Sequence, residues 1–192
     1  FRSLSLLIEN SHLIEGATPS PGIIQAMTSA WMHCSYADSP KKHQLKQSLN
    51  KVWLRLDEVG GLKARWAPRR KADKPTLLVL GERLVKGHAM LRSYGACWRQ
   101  LKSRFHTVCM ISAGFAAKDI TEEIFDEAIF LEEGILMKDI GAKIVKVQPD
   151  IIYYPSLGMS EWTQMTAVLR YAPIQVMTLG HPAPAMMDTM DY

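Results

Sequence analysis

The stretch Pro75-Thr-Leu-Leu-Val-Leu-Gly81 decides the fold. A short apolar run that opens after a proline and closes on a glycine reads as a strand buried on both faces. The pattern returns at Thr107–Ile111, Ala128–Leu131, Asp150–Tyr154 and Ile174–Thr178. Between these runs lie helical stripes. One is Leu91, Tyr94, Trp98, Leu101 and Phe105; the next is Ile140, Ile144 and Val147; the third is Trp162, Met165, Thr166 and Leu169. Apolar strands alternating with amphipathic helices predict an α/β fold with a parallel sheet covered on both faces and right-handed crossovers. Five strands make a Rossmann-like domain over residues 74–192.

Working back from Lys74, the period changes. Residues 1–62 read as a helical segment. Ile23, Ile24, Met27 and Trp31 form one stripe, reached through Pro21-Gly22. Leu45, Leu49, Val52, Trp53 and Leu56 form another, with Lys42, Lys46, Lys51 and Arg55 expected on the surface. Ser39-Pro40 separates the two helices, with Pro40 expected at the first helical position, and Gly60-Gly61 ends the second. Residues 63–73 read as a basic linker: Lys63, Arg65, Arg69, Arg70 and Lys71 lead up to Lys74, interrupted by Trp66 and Pro68. No aromatic platform or docking motif accompanies this charge, so no nucleic-acid partner is expected.

The chain has 192 residues, 47% hydrophobic and 22% charged, with a formal net charge of +4. No apolar stretch reaches the roughly 20 residues of a membrane span. Cys34, Cys97 and Cys109 are odd in number and lack metal-ligand spacing, the pattern of free thiols in a reducing cytoplasm. No HExxH or paired CxxC is present, so no metal site is expected. Phe1 at the start and Asp191-Tyr192 at the end create an expectation of flanking sequence on both sides.

Ligands of open parallel sheets bind beyond the carboxyl ends of the strands. The first strand ends in Gly81-Glu-Arg-Leu-Val-Lys-Gly-His88, the fourth in Pro155-Ser-Leu-Gly-Met159, the fifth in Leu179-Gly-His-Pro-Ala-Pro184. These ends contain no GxGxxG fingerprint, phosphate loop or GxSxG elbow. His88 opens a helix, where free N–H groups and the dipole favour an anion such as a diphosphate. It can add a donor to that anion, exchange a proton, or simply cap the first turn. His181 has the same readings, and Pro182 and Pro184 make its loop rigid. Glu82 and Asp188 are the nearby carboxylates, read first as a helix cap or turn residue. The competing class is a Rossmann-like binding module without catalysis. Among such modules, a receiver domain would need aspartates at the early strand ends.

The stretch Pro149-Asp-Ile-Ile-Tyr-Tyr-Pro-Ser-Leu-Gly-Met159, with Arg170-Tyr-Ala-Pro-Ile-Gln175, Leu179-Gly-His-Pro-Ala183 and Met190-Asp-Tyr192, resembles the bacterial cytoplasmic protein N-glucosyltransferases that modify high-molecular-weight adhesins. These are related to O-linked N-acetylglucosamine transferase. The likeness runs from about Lys74 to Tyr192 and more weakly into the helical segment. It implies the N-terminal Rossmann-like half of a GT-B glycosyltransferase, inverting and metal-independent, moving glucose or another hexose from a UDP-sugar to asparagine in an Asn-x-Ser/Thr sequon. It places His88 at the catalytic cleft and Gly180, His181 and Pro182 beside donor and acceptor. The nucleotide would be held mainly by a second Rossmann domain. Pro184 stands where the family commonly has threonine, and Arg83 and Val85 where histidine is expected; these departures bear on donor or acceptor preference. Asn10 and Asn50, the two asparagines of the chain, lie outside any sequon.

Overall fold

The computed structural model describes residues 2–60, 73–178 and 184–192. All of the proposed linker except Asp73 therefore lies outside the described residues. The helical segment comprises α1 (Arg2–Glu9), α2 (Ser11–Ile14), α3 (Pro21–His33) and α4 (Lys42–Gly60). Pro40 belongs to the preceding turn instead of opening α4, because the Ser39 carbonyl and hydroxyl accept from the N–H groups of Lys42 and Lys41.

The five apolar runs are all strands: β1 (Thr76–Gly81), β2 (His106–Ser112), β3 (Glu127–Leu131), β4 (Ile151–Tyr154) and β5 (Ile174–Met177). They pair in parallel in the order β3-β2-β1-β4-β5. The connections carry α5 (Ala89–Leu101), α6 (Lys118–Ile124), α7 (Met137–Val147) and α8 (Glu161–Ala167). Phe105 and Leu169, expected on helical faces, follow the ends of α5 and α8 and are held there by turns. Asp150 precedes β4, where its carboxylate accepts from the Thr76 N–H and leads the strand into register.

Alternation along β1 divides the core. Leu77 and Val79 point to one face and pack with Trp98, Ile124 and Phe125. Leu78 and Leu80 point to the other, where the cluster continues through Ile140 and Ile144 to Trp31, Leu45 and Leu49. The helical segment thus shares one apolar core with a face of the sheet.

Lys46 departs from its expected surface position. It is fully buried, because position 46 shares a helical stripe with Asn50 and Trp53 and that stripe faces α3 and residues 184–186. Its Nζ donates to the Pro184 carbonyl at 3.1 Å and lies 3.9 Å from the centre of the Trp31 ring, with no carboxylate partner among the described residues. Burial pulls its pKa down to about 8 from 10.5, an effect that the nearby Cys34 partly offsets. A cation whose folded pKa is depressed is a cost below that pKa, and the cost disappears as pH rises from about 8 toward 10.5. Lys46→Met is therefore expected to be neutral or stabilising at pH 7, and the wild type should gain on it by up to about 3 kcal/mol across that window. Paired denaturant titrations at several pH values check this. A difference that stays flat from pH 7 to 10 would show that the amine is solvated in the folded chain. The buried Cys34 and Cys109 thiols, pushed up by desolvation, act in the opposite direction at high pH, so the difference between the two proteins is the informative quantity.

Candidate functional site

Parallel pairing throughout puts the carboxyl ends of all five strands on one edge. The order reverses between β1 and β4, the crevice where open α/β sheets usually hold ligands. Here the crevice is filled from within. Glu82, directly after β1 and 2% exposed, sends its carboxylate into the loop between β4 and α8. Oε1 accepts from the backbone N–H groups of Gly158, Met159 and Ser160 at 2.9–3.0 Å and from the Thr163 hydroxyl at 2.6 Å. Oε2 accepts from the Ser156 hydroxyl at 2.9 Å. The donors at the start of α8 are thus already used by an internal anion, and the cavity left beside Glu82 is only about 10 Å³. Glu82 is a helix cap supplied from another strand. Asp188 is an exposed turn residue.

His88 is the N-cap of α5. Its Nδ1 accepts from the Met90 N–H at 3.3 Å, the capping role named among its readings. A nitrogen that accepts carries no proton, so the neutral ring holds its proton on Nε2. Half-buried at the sheet edge, His88 can present that N–H as a donor while the other nitrogen secures the helix. Gly180, His181 and Pro182 lie outside the described residues, so the pairing of His88 with His181 across one cleft stays an expectation. Thr178, the last residue described before them, is tied to β4 by its N–H to the Tyr154 carbonyl and by its hydroxyl to Tyr153 and Pro155.

The loops after β1 and β2 are laced together. Leu84 donates to the Phe115 carbonyl, and Ala117 donates to that of Leu84. The Arg83 guanidinium lies 4.3 Å from the centre of the Phe115 ring. Beyond Phe115 opens a cleft of about 410 Å³ at the carboxyl ends of β2 and β3. Leu131, Ile135, Met137 and Ile140 line it, with Trp162 of α8 as a wall and Glu132, Glu133 and Glu161 at its margin. His88 is not among its lining residues. Sequence reasoning missed this cleft by searching the ends of the first, fourth and fifth strands only; Glu132-Glu133-Gly134 after the third was the available signal.

Gln175, the last residue of the Ala-Pro-Ile-Gln element, is buried. Its amide donates to the carbonyls of Leu169 and Thr189 and accepts from the Tyr171 N–H. That element therefore fixes the strand and the C-terminal tail. Asn50 is equally engaged: its Oδ1 accepts from the Trp31 indole, and its Nδ2 donates to the carbonyls of Ala185 and Met186. Among the described residues no group of His, Cys, Asp and Glu is placed to hold a metal ion, and no helix is long and apolar enough to cross a membrane.

Comparison with known proteins agrees with the fold. The family described as HMW1 domain 2 matches residues 19–56, which take in α3 and most of α4, the region of weaker expected likeness. Two proteins of Actinobacillus pleuropneumoniae, from serotypes 5b and 7, each named UDP-glucose:protein N-beta-glucosyltransferase, are 33% identical over 170 residues. The match takes in 84% of this chain, which spans 27% of the length of those relatives. An O-GlcNAc transferase mutant of Thermobaculum terrenum shares the fold, with a TM-score of 0.62 at 13% identity, over 90% of this chain and 34% of that one.

Proposed function

We propose that this chain, a homologue of the UDP-glucose:protein N-beta-glucosyltransferases, is the N-terminal Rossmann-like half of a GT-B protein glycosyltransferase, with residues 1–62 as its helical segment and 63–73 as a linker. The reaction moves glucose, or another hexose, from a UDP-sugar to asparagine in an Asn-x-Ser/Thr sequon of an acceptor protein such as an adhesin. It takes place in the cytoplasm, without a metal. A second Rossmann domain holds most of the nucleotide, and this chain alone is inactive. The observation that carries the reading is identity of 33% over an alignment of 170 residues, long enough to take in parts of both the helical segment and the sheet.

In the displacement, the amide nitrogen attacks the anomeric carbon from the face opposite the diphosphate. A C–N bond forms, the bond from that carbon to the diphosphate oxygen breaks, UDP leaves with the electron pair, and the amide nitrogen gives up one N–H proton to solvent. With Nδ1 committed to the α5 cap, His88 serves as a donor through Nε2–H, directed at the leaving diphosphate or a sugar hydroxyl. Glu82 does not act as the base, because both of its oxygens are occupied within the fold. Gly180, His181 and Pro182 border donor and acceptor.

The test uses this chain joined to its second domain. His88→Ala should lower turnover by about 100-fold, in the range of a lost transition-state donor, and stability by only about 1 kcal/mol, the value of an N-cap. His88→Asn should restore stability, since Asn caps helices well, without restoring turnover. Loss of activity in proportion to melting temperature in both variants would make His88 a packing residue.

A further inference from the structure

We propose that the cleft between Phe115 and Trp162 seats a segment of the acceptor polypeptide in which an apolar side chain lies next to a lysine or arginine; this rests on the transferase reading above. The cleft's volume of about 410 Å³ suits one or two side chains better than an extended domain surface. Its floor is apolar, formed by Leu131, Ile135, Met137 and Ile140, and favours a hydrophobic group.

The rim has the opposite character. Glu132, Glu133 and Glu161 are exposed around it and no lysine or arginine lines it, although the chain as a whole is positive by four charges. Such a rim repels the diphosphate of a sugar nucleotide and attracts a cationic side chain. Trp162 adds a second feature: it is 7% exposed and its indole N–H has no partner among the described residues. The nitrogen itself is buried, so an acceptor carbonyl would satisfy it only on rotation of the ring.

Position favours an acceptor as occupant. Phe115 is hydrogen-bonded to Leu84 and stacked under Arg83, in the loop that continues to His88. The other wall, at the start of α8, is held by Glu82 of the same loop. A segment in the cleft would therefore lie beside the loop assigned to catalysis.

The probes are three synthetic peptides sharing an Asn-x-Thr core and one leucine, flanked by lysine, alanine or glutamate. Fluorescence anisotropy with this chain should show the lysine peptide binding about tenfold more tightly than the glutamate peptide, a difference that shrinks with added salt. The triple variant Glu132→Gln, Glu133→Gln, Glu161→Gln removes charge from exposed positions without changing volume, and should abolish the difference. Phe115→Ala, truncating a half-exposed ring, should weaken all three peptides. Equal binding of the three, a difference that survives the triple variant, or displacement of peptide by UDP-glucose would each overturn the proposal. Hexose transfer by the chain joined to its second domain separates the two ideas. Transfer with a KM blind to flanking charge sinks the seat alone, whereas charge-dependent binding without any transfer sinks the transferase reading alone.

Discussion

Glu82→Ala is expected to destabilise the chain by about 4 kcal/mol, because it leaves three backbone N–H groups at the start of α8 without their acceptor, and each buried orphan costs about 1–3 kcal/mol. For a chain of this size that corresponds to a fall in melting temperature of about 10 °C. Glu82→Gln keeps one oxygen for the backbone donors and turns its amide toward Ser156, whose hydroxyl can rotate to accept. Losing only the charge assistance, it should cost about half as much or less. Scanning calorimetry of the two variants checks the order. An alanine variant melting within about 2 °C of the wild type would mean that the β4–α8 loop is held without Glu82. The result has a functional side as well. The donors of α8 are engaged by this carboxylate, so an anionic substrate must find its donors elsewhere on the edge.

The second large effect is at Trp31, which is fully buried and joins the helical segment to the sheet. Its indole donates to Asn50 Oδ1 at 2.8 Å, one face of its ring receives Lys46, and its edge meets the backbone at Gly158. Trp31→Ala should cost about 4 kcal/mol through the cavity alone, and it also strips the buried Asn50 and Lys46 of a partner. Gly158→Ala probes the same contact from the sheet side. A Cβ there would lie 2.9 Å from the Trp31 ring, and φ of +134° is strained for any L side chain. Hydrogen exchange should show α3 losing protection in both variants before the strands do. If β1 and β2 lost protection in parallel with α3, the two parts would unfold as one unit and Trp31 would not be their junction.

Most of the architecture was legible in the sequence because each signal is local. The run Thr76–Leu80 carries no polar residue after its first, so a strand there has to be buried on both faces, and five repeats of the pattern leave little choice but a covered parallel sheet. Candidate site residues were legible only as positions. His88 follows a strand and opens a helix, as read, but its tautomer depends on the Met90 N–H, a contact that the residue order does not reveal.

The sequence by itself determined the α/β class, the five strands, the helices ahead of them and the likeness to protein N-glucosyltransferases. Periodicity and motif order are properties of the chain read in one dimension. Only the tertiary structure decided which polar groups are consumed within the fold. Lys46 reads as a solvated lysine until Trp31 and Pro184 close over it, and Glu82 reads as a cap or turn residue without a known partner until a segment more than seventy residues away supplies its donors. The cleft beside Phe115 likewise exists because β3 and α8, distant in sequence, meet at one edge of the sheet. Burial and hydrogen bonding of this kind are long-range, and they separate a group available to a substrate from one already spent on holding the chain together.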